Sequence, residues 1–276
     1  NKGQAMTDIG GSFRRLHQPG NPFILANVWD AGTAKMLKGL GAQSLATSSA
    51  AHAFTEGKID GGTLTRDTAL AHAQDIIAAT NLPVQGDFEN GFGDDPDTCA
   101  ETVRLAAEIG LAGICIEDIA LPSSTPYDAK LSTERIRAAA AAARELPHDF
   151  ILTARADGVM LGEYDLAEAT ERGLAFADAG ADAVYAPMLK SIEDVARFCA
   201  AMPIPVNVLV AGQYTNFAMN DFAKAGAARL SLGSTLARAV HRTIYDAATE
   251  MLNEGRFSRL SNAISGDKVD ALLQGD

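Results

Sequence analysis

The sequence predicts a (β/α)8 barrel, and three observations carry that expectation. First, one αβ junction recurs four times, with a helix-like segment ending in Gly-Ala or a close variant and an apolar strand following. The copies are Gly39 to Ala46, Gly110 to Ile116, Ala179 to Tyr185 and Ala225 to Leu232. Glycine supplies the left-handed helix cap, and the small residue lets the helix end approach a sheet. Second, four further apolar runs, Ile24 to Val28, Val84 to Asp87, Phe150 to Ala154 and Val206 to Val210, bring the strand count to eight. Third, the chain has 276 residues, 47% of them hydrophobic, with no break in composition. One domain over 1–276 follows, at a length such barrels commonly have. The runner-up, an open doubly wound sheet, is disfavoured because no GxGxxG or Walker loop follows an early strand.

Between the strands, Pro96 to Ile109 and Thr133 to Glu145 are alanine-rich with helical spacing. Ser132-Thr133-Glu134-Arg135 and Asp165 to Glu168 read as helix starts. Residues 118–132 have no clear periodicity and hold two prolines, which predicts a long loop after the fourth strand that could act as a lid. From about Leu236 the tail is helical in pattern and longer than a barrel needs for closure, as expected of a segment that packs on a neighbouring subunit.

The formal net charge is −12. With no Lys/Arg cluster, nucleic acid and anionic membranes are poor partners. No stretch is long and apolar enough to span a membrane. No apolar leader opens the sequence, so a cytoplasmic protein is the expectation. Cys99, Cys115 and Cys199 are widely spaced and form no CxxC pair, which argues against a zinc site or a disulfide framework.

In a barrel the site lies at the C-terminal ends of the strands. Those ends carry Asn27-Val28-Trp29-Asp30, Thr47-Ser48-Ser49-Ala50, Asp87 with Glu89, Glu117-Asp118, Arg155-Ala156-Asp157, Tyr185 and Asn207. Asp87 and Glu89 are two apart on a strand end and can converge on one cation or substrate. The glycines of Gly86-Asp87-Phe88-Glu89-Asn90-Gly91-Phe92-Gly93 then let the backbone turn sharply. Several acids aimed at one place repel unless a cation neutralises them, and a hard ion with oxygen ligands, Mg2+ or alternatively Mn2+, is the natural partner. Arg155, facing the acids, has the fork that takes a substrate carboxylate bidentately. His52 and His241 read as structural or surface residues, and Tyr127 could reach a substrate only through loop closure.

Five segments in this order and spacing resemble the isocitrate lyase / phosphoenolpyruvate mutase superfamily. They are Asn27 to Ala31, Ala46 to Ala50, Gly86 to Gly93, Gly113 to Asp118 and Thr153 to Asp157. The resemblance implies a Mg2+-dependent barrel acting on small 2-oxo or 2-hydroxy carboxylates. Bonds would be made or broken next to a metal-stabilised enolate, as in a carbon–carbon lyase or decarboxylase. It further implies Asp87 as direct metal ligand, with Glu89 and Glu117 holding the ion through water. Asp60 and Glu117 would be catalytic acids at the site, and Arg155 the carboxylate clamp. Ser49 with the backbone of Ala50 and Ala51 would form a second carboxylate cradle, with Trp29 and Asn207 also at the substrate. A dimer or tetramer with its last helix exchanged between subunits is implied too.

The sequence departs from the family in two places. Glu89 stands where Asp is commoner. The segment after the fourth strand lacks the Lys-Lys-Cys-Gly-His of isocitrate and methylisocitrate lyases, and lacks the Asn of the phosphonate-handling branch, with Lys130 the one lysine nearby. Phosphonyl chemistry of the phosphoenolpyruvate mutase or phosphonopyruvate hydrolase type is therefore the alternative, and a non-catalytic 2-oxo acid binder the third reading.

Overall fold

The computed structural model describes residues 8–275, so the first seven residues and the last one of the expected domain lie outside it. Eight parallel strands close into a barrel: β1 (Phe23–Asn27), β2 (Leu45–Ala46), β3 (Val84–Asp87), β4 (Gly113–Glu117), β5 (Ile151–Arg155), β6 (Ala183–Tyr185), β7 (Val206–Leu209) and β8 (Arg229–Ser231). Each strand pairs with its sequence neighbours, and β1 pairs with β8 to shut the ring. The (β/α)8 expectation holds, and the strand limits differ from those expected by a residue or two.

The repeated αβ junction does what its glycines require. Gly41, Gly110, Gly180 and Gly226 all have positive φ, where a side chain would strain the backbone. Gly113 answers a different need: a Cβ there would stand 2.2 Å from the Ile151 carbonyl oxygen, so only glycine lets β4 and β5 approach this closely. Around the barrel, the helices Pro96–Glu108 and Ala129–Arg144 face the core with Ala100, Ala106, Ala107, Ala139, Ala140 and Ala142. Small residues allow close helix approach, while Ile76, Leu111, Ile114, Leu152, Phe176 and Phe198 fill the space between layers. Each of these larger side chains contributes about 1.5–3 kcal/mol by leaving water.

Three elements differ from the expectation. The helix expected at Thr133 starts at Ala129, because Asp128 accepts hydrogen bonds from the Lys130 and Leu131 amides and caps it four residues early. The segment 118–132 is not one long loop: Ile119–Ala120 and Thr125–Pro126 pair as a short antiparallel hairpin over the barrel mouth, and the helix follows directly. A short amphipathic helix at Ile9–Leu16, outside the expected elements, places Phe13 against Phe23, Leu25 and Ile151 at the N-terminal end of the barrel. The tail forms helices at Thr235–Glu254 and Gly266–Gln274. The second of these rests on the helix Ala31–Gly39 of the same chain, with Leu272 against Gly39. No helix among the described residues is long and apolar enough to cross a membrane.

The shear of the barrel sets one row of interior neighbours. Glu117 opposes Arg155, Arg155 opposes Tyr185, Tyr185 opposes Asn207 and Asn207 opposes Arg229. The row begins at the last residue of β4 and ends at the first residue of β8, so it descends through the barrel from the C-terminal to the N-terminal mouth.

Candidate active site

A cavity of about 250 Å³ opens at the C-terminal ends of the strands. Asp60, Asp87, Glu89, Glu117, Arg155 and Asp157 are its charged lining residues, with Ser49, Ala50 and Tyr185 beside them. Ile119, Leu121 and Ser124 of the hairpin region line its rim. Backbone geometry aims the acids. Asp87 is the last residue of β3, whereas Glu89 has left the strand with φ near 50°, so a left-handed turn rather than strand alternation brings its carboxyl back to the cavity.

The carboxyls carry the marks of crowding. Burial, then the charge of Asp87, pushes Glu89 up to about 7. Partial burial and Asp87 likewise raise Asp60. Burial raises Glu117 well above the carboxylate range, although Arg155 opposes the shift. Asp157 is raised to about 6 by burial, again against Arg155. Arg155 is therefore the central cation. Its Nε and Nη2 donate to the two carboxylate oxygens of Asp157 at 3.1 and 3.0 Å, while Nη1 lies 3.4 Å from Asp87 and 3.4 Å from Glu117. Asp157 takes the forked edge, so Nη1 is the part of Arg155 turned to the acids.

The expected site residues divide by where the chain puts them. Asp60, Asp87, Glu89, Glu117, Arg155, Ser49 and Ala50 share the cavity. Of the expected cradle, the Ser49 amide donates to Asp87 at 2.9 Å and its hydroxyl to Asp60 at 3.3 Å. The Ala51 amide is turned instead to Ser48 Oγ, which caps the helix Ser49–Thr55, and Ala51 is not in the cavity wall. Trp29 is also outside the wall, since the chain turns into the helix Ala31–Gly39 there and its carbonyl accepts from His72. Asn207 sits below the cavity, bonded to Ser231 and Arg229, because the row of neighbours has already descended at β7. Tyr127 points elsewhere, donating to Asp94 at 2.5 Å and accepting from Asn90. His52 stacks on His72 with ring centroids 3.7 Å apart.

Two lining residues carry more than the sequence suggested. Asp157 was visible only as the end of the Thr153-Ala154-Arg155-Ala156-Asp157 segment, and its pairing with Arg155 two residues away was the available signal. Tyr185 ends β6 at the cavity floor, under the Arg155 guanidinium, 5.0 Å from the ring centre. Among the described residues no group of three or more His, Cys, Asp or Glu side chains is gathered closely enough to hold a metal directly. The donor set still suits one hard cation, because the raised acids are oxygen donors in need of positive charge and Mg2+ typically keeps several waters.

A family profile described as phosphoenolpyruvate phosphomutase matches residues 13–252. The crystal structure of a provisionally assigned lyase/mutase from Burkholderia cenocepacia J2315 superposes with a TM-score of 0.92 at 42% identity, covering 97% of this chain and 96% of that one. The 2,3-dimethylmalate lyase of Eubacterium barkeri is 32% identical over 71% of this chain and 69% of its own length. The 2-methylisocitrate lyase of Bacillus subtilis is 26% identical over 82% of this chain and 76% of its own.

Proposed function

Because the chain belongs to the phosphoenolpyruvate phosphomutase family, we propose that it is a Mg2+-dependent carbon–carbon lyase or decarboxylase acting on small 2-oxo or 2-hydroxy carboxylates through an enolate. One observation carries this reading: five carboxyls, four of them raised, and one guanidinium enclose a cavity of about 250 Å³, the size of a small dicarboxylate and its water. Asp87 would hold the ion directly, with Glu89, Glu117 and Asp60 around it through water. When bound, Mg2+ or Mn2+ supplies Lewis acidity toward a 2-oxo group and neutralises the acids.

The chain's own residues do the rest. Arg155 Nη1 attracts a substrate carboxylate, and Asp157 fixes the guanidinium plane from behind. Ser49 and Ala50 bind the far end of the substrate. Ile119, Leu121 and Ser124 restrict water at the rim, which strengthens every charge interaction inside. Exposed Val240, Ile244, Tyr245 and Leu252 on the long tail helix favour a dimer or tetramer.

The test is a panel assay with Mg2+ that follows pyruvate, glyoxylate, CO2 and phosphate from oxaloacetate, isocitrate, 2-methylisocitrate, methylmalates and phosphonopyruvate. Carbonyl product that stops with EDTA supports the lyase. Phosphate from phosphonopyruvate would move the reading to P–C chemistry, and silence with Mg2+-dependent stabilisation by an oxo acid would leave a binder.

A further inference from the structure

Beneath the cavity floor a chain of polar side chains runs down the barrel. Ser231 Oγ donates to the Tyr185 hydroxyl at 3.4 Å and accepts from Asn207 Nδ2 at 2.8 Å. Asn207 Oδ1 accepts from Arg229 Nε at 2.7 Å. Arg229 reaches Gln85 Oε1 and His17 Nε2 through Nη1, at 2.9 and 3.0 Å, and Thr153 Oγ1 through Nη2 at 3.0 Å. His17 Nδ1 meets the Phe13 carbonyl at 2.8 Å, which fixes the proton on Nδ1 and leaves Nε2 to accept from Arg229. The chain has a direction. Asn207 takes the lone pair of Ser231, so the Ser231 hydrogen turns to Tyr185, and the phenol oxygen is an acceptor. Among the described residues nothing accepts the hydrogen of the phenol itself, which is only 6% exposed and lines the cavity.

We infer that Tyr185 is a catalytic residue, the acid that delivers a proton to the enolate carbon after the carbon–carbon bond has broken. The inference rests on the enolate reading above. The cavity wall holds no His, Cys or Lys among the described residues. Its carboxyls are the groups an ion would engage, and its serine hydroxyls are far weaker acids. In the step, the enolate π pair takes the phenol hydrogen, so one O–H bond breaks and one C–H bond forms. The phenolate keeps the Ser231 hydroxyl as donor and Arg155 over its ring, and water entering as products leave restores its proton. Burial holds the phenol above its usual range although Arg155 and Ser231 oppose it, so it is protonated and ready to donate at neutral pH. Ser231, Asn207 and Arg229 are positioning residues.

The experiment follows deuterium uptake at C3 of pyruvate and 2-oxobutyrate by NMR in D2O with Mg2+. Wild type, Tyr185→Phe and Ser231→Ala are compared, with thermal stabilisation by oxalate, a planar dianion like an enolate, as the binding control. Tyr185→Phe is expected to lose about 100-fold in exchange, and Ser231→Ala about 10-fold, while both keep the oxalate shift. Exchange by Tyr185→Phe at the wild-type rate overturns the inference and leaves the lyase reading standing. Loss of exchange together with the oxalate shift overturns it in favour of a packing role. No exchange by wild type on either acid overturns both.

Discussion

The two ends of the barrel handle buried charge in opposite ways. At the C-terminal mouth, Asp60, Glu89, Glu117 and Asp157 are all raised; Arg155 opposes the shift at Glu117 and Asp157, while hydrogen bonds from Gly61 and Ser49 to Asp60 and from Gly62 to Glu89 oppose it there. Toward the N-terminal mouth, Arg229 is 1% exposed and has no carboxylate partner among the described residues; burial lowers it to about 10, and four neutral groups on Gln85, Asn207, Thr153 and His17 satisfy it. His17 stays neutral beside it, lowered to about 3 by burial and then by Arg229. The lower centre is complete within the chain. The upper one keeps more buried carboxyl than cation, and such an imbalance is the mark of a functional site rather than of a packing solution; in the proposed reading a bound cation removes it.

Variants break this contrast by graded amounts. Arg155→Met removes the only cation that the described residues place among the acids, so we expect a loss of about 3–5 kcal/mol in chemical denaturation and of all measurable turnover. Arg229→Met unpairs several dipoles and costs about 3 kcal/mol, yet the response to divalent cation is unchanged, because no acid depends on it. Next comes pH. Glu89 binds its proton more tightly folded than unfolded, so its favourable contribution is present below about 4.5 and is lost as pH rises through about 7. Without divalent cation, thermal stability falls over that window by on the order of 2 kcal/mol from this group, and Glu89→Gln or added Mg2+ flattens the fall. The smallest effect belongs to Asp30, another acid after a strand end, whose carboxyl only caps the helix Ala31–Gly39 at the Thr33 amide, 2.7 Å away. Asp30→Ala costs about 1 kcal/mol and leaves activity and cation response intact.

Local rules made the barrel legible. A glycine that must adopt positive φ before an apolar run announces each αβ junction, and four copies fix the architecture. The helix start at Asp128 was hidden because a cap inside a proline-containing segment looks like loop, and alanine gives little periodic contrast. In the site, Asp87, Glu89, Glu117 and Arg155 could be placed together because they lie at the C-terminal ends of the neighbouring strands β3, β4 and β5. Asn207 could not be separated from them without knowing the stagger of the strands, which lowers it toward Arg229. The pairing of Arg229 with His17 spans 212 positions, and no local pattern carries such a contact. Asp157 taking the forked edge of Arg155 is likewise a matter of rotamer and burial rather than of motif.

Titration of Mn2+ followed by electron paramagnetic resonance, on wild type and Asp87→Ala, tests most directly that the acid wall is a cation-dependent active site. The account predicts one bound ion per chain in wild type, displaced by Mg2+, and none in Asp87→Ala. Equal binding by both proteins, or none by wild type in the presence of oxalate, would contradict it.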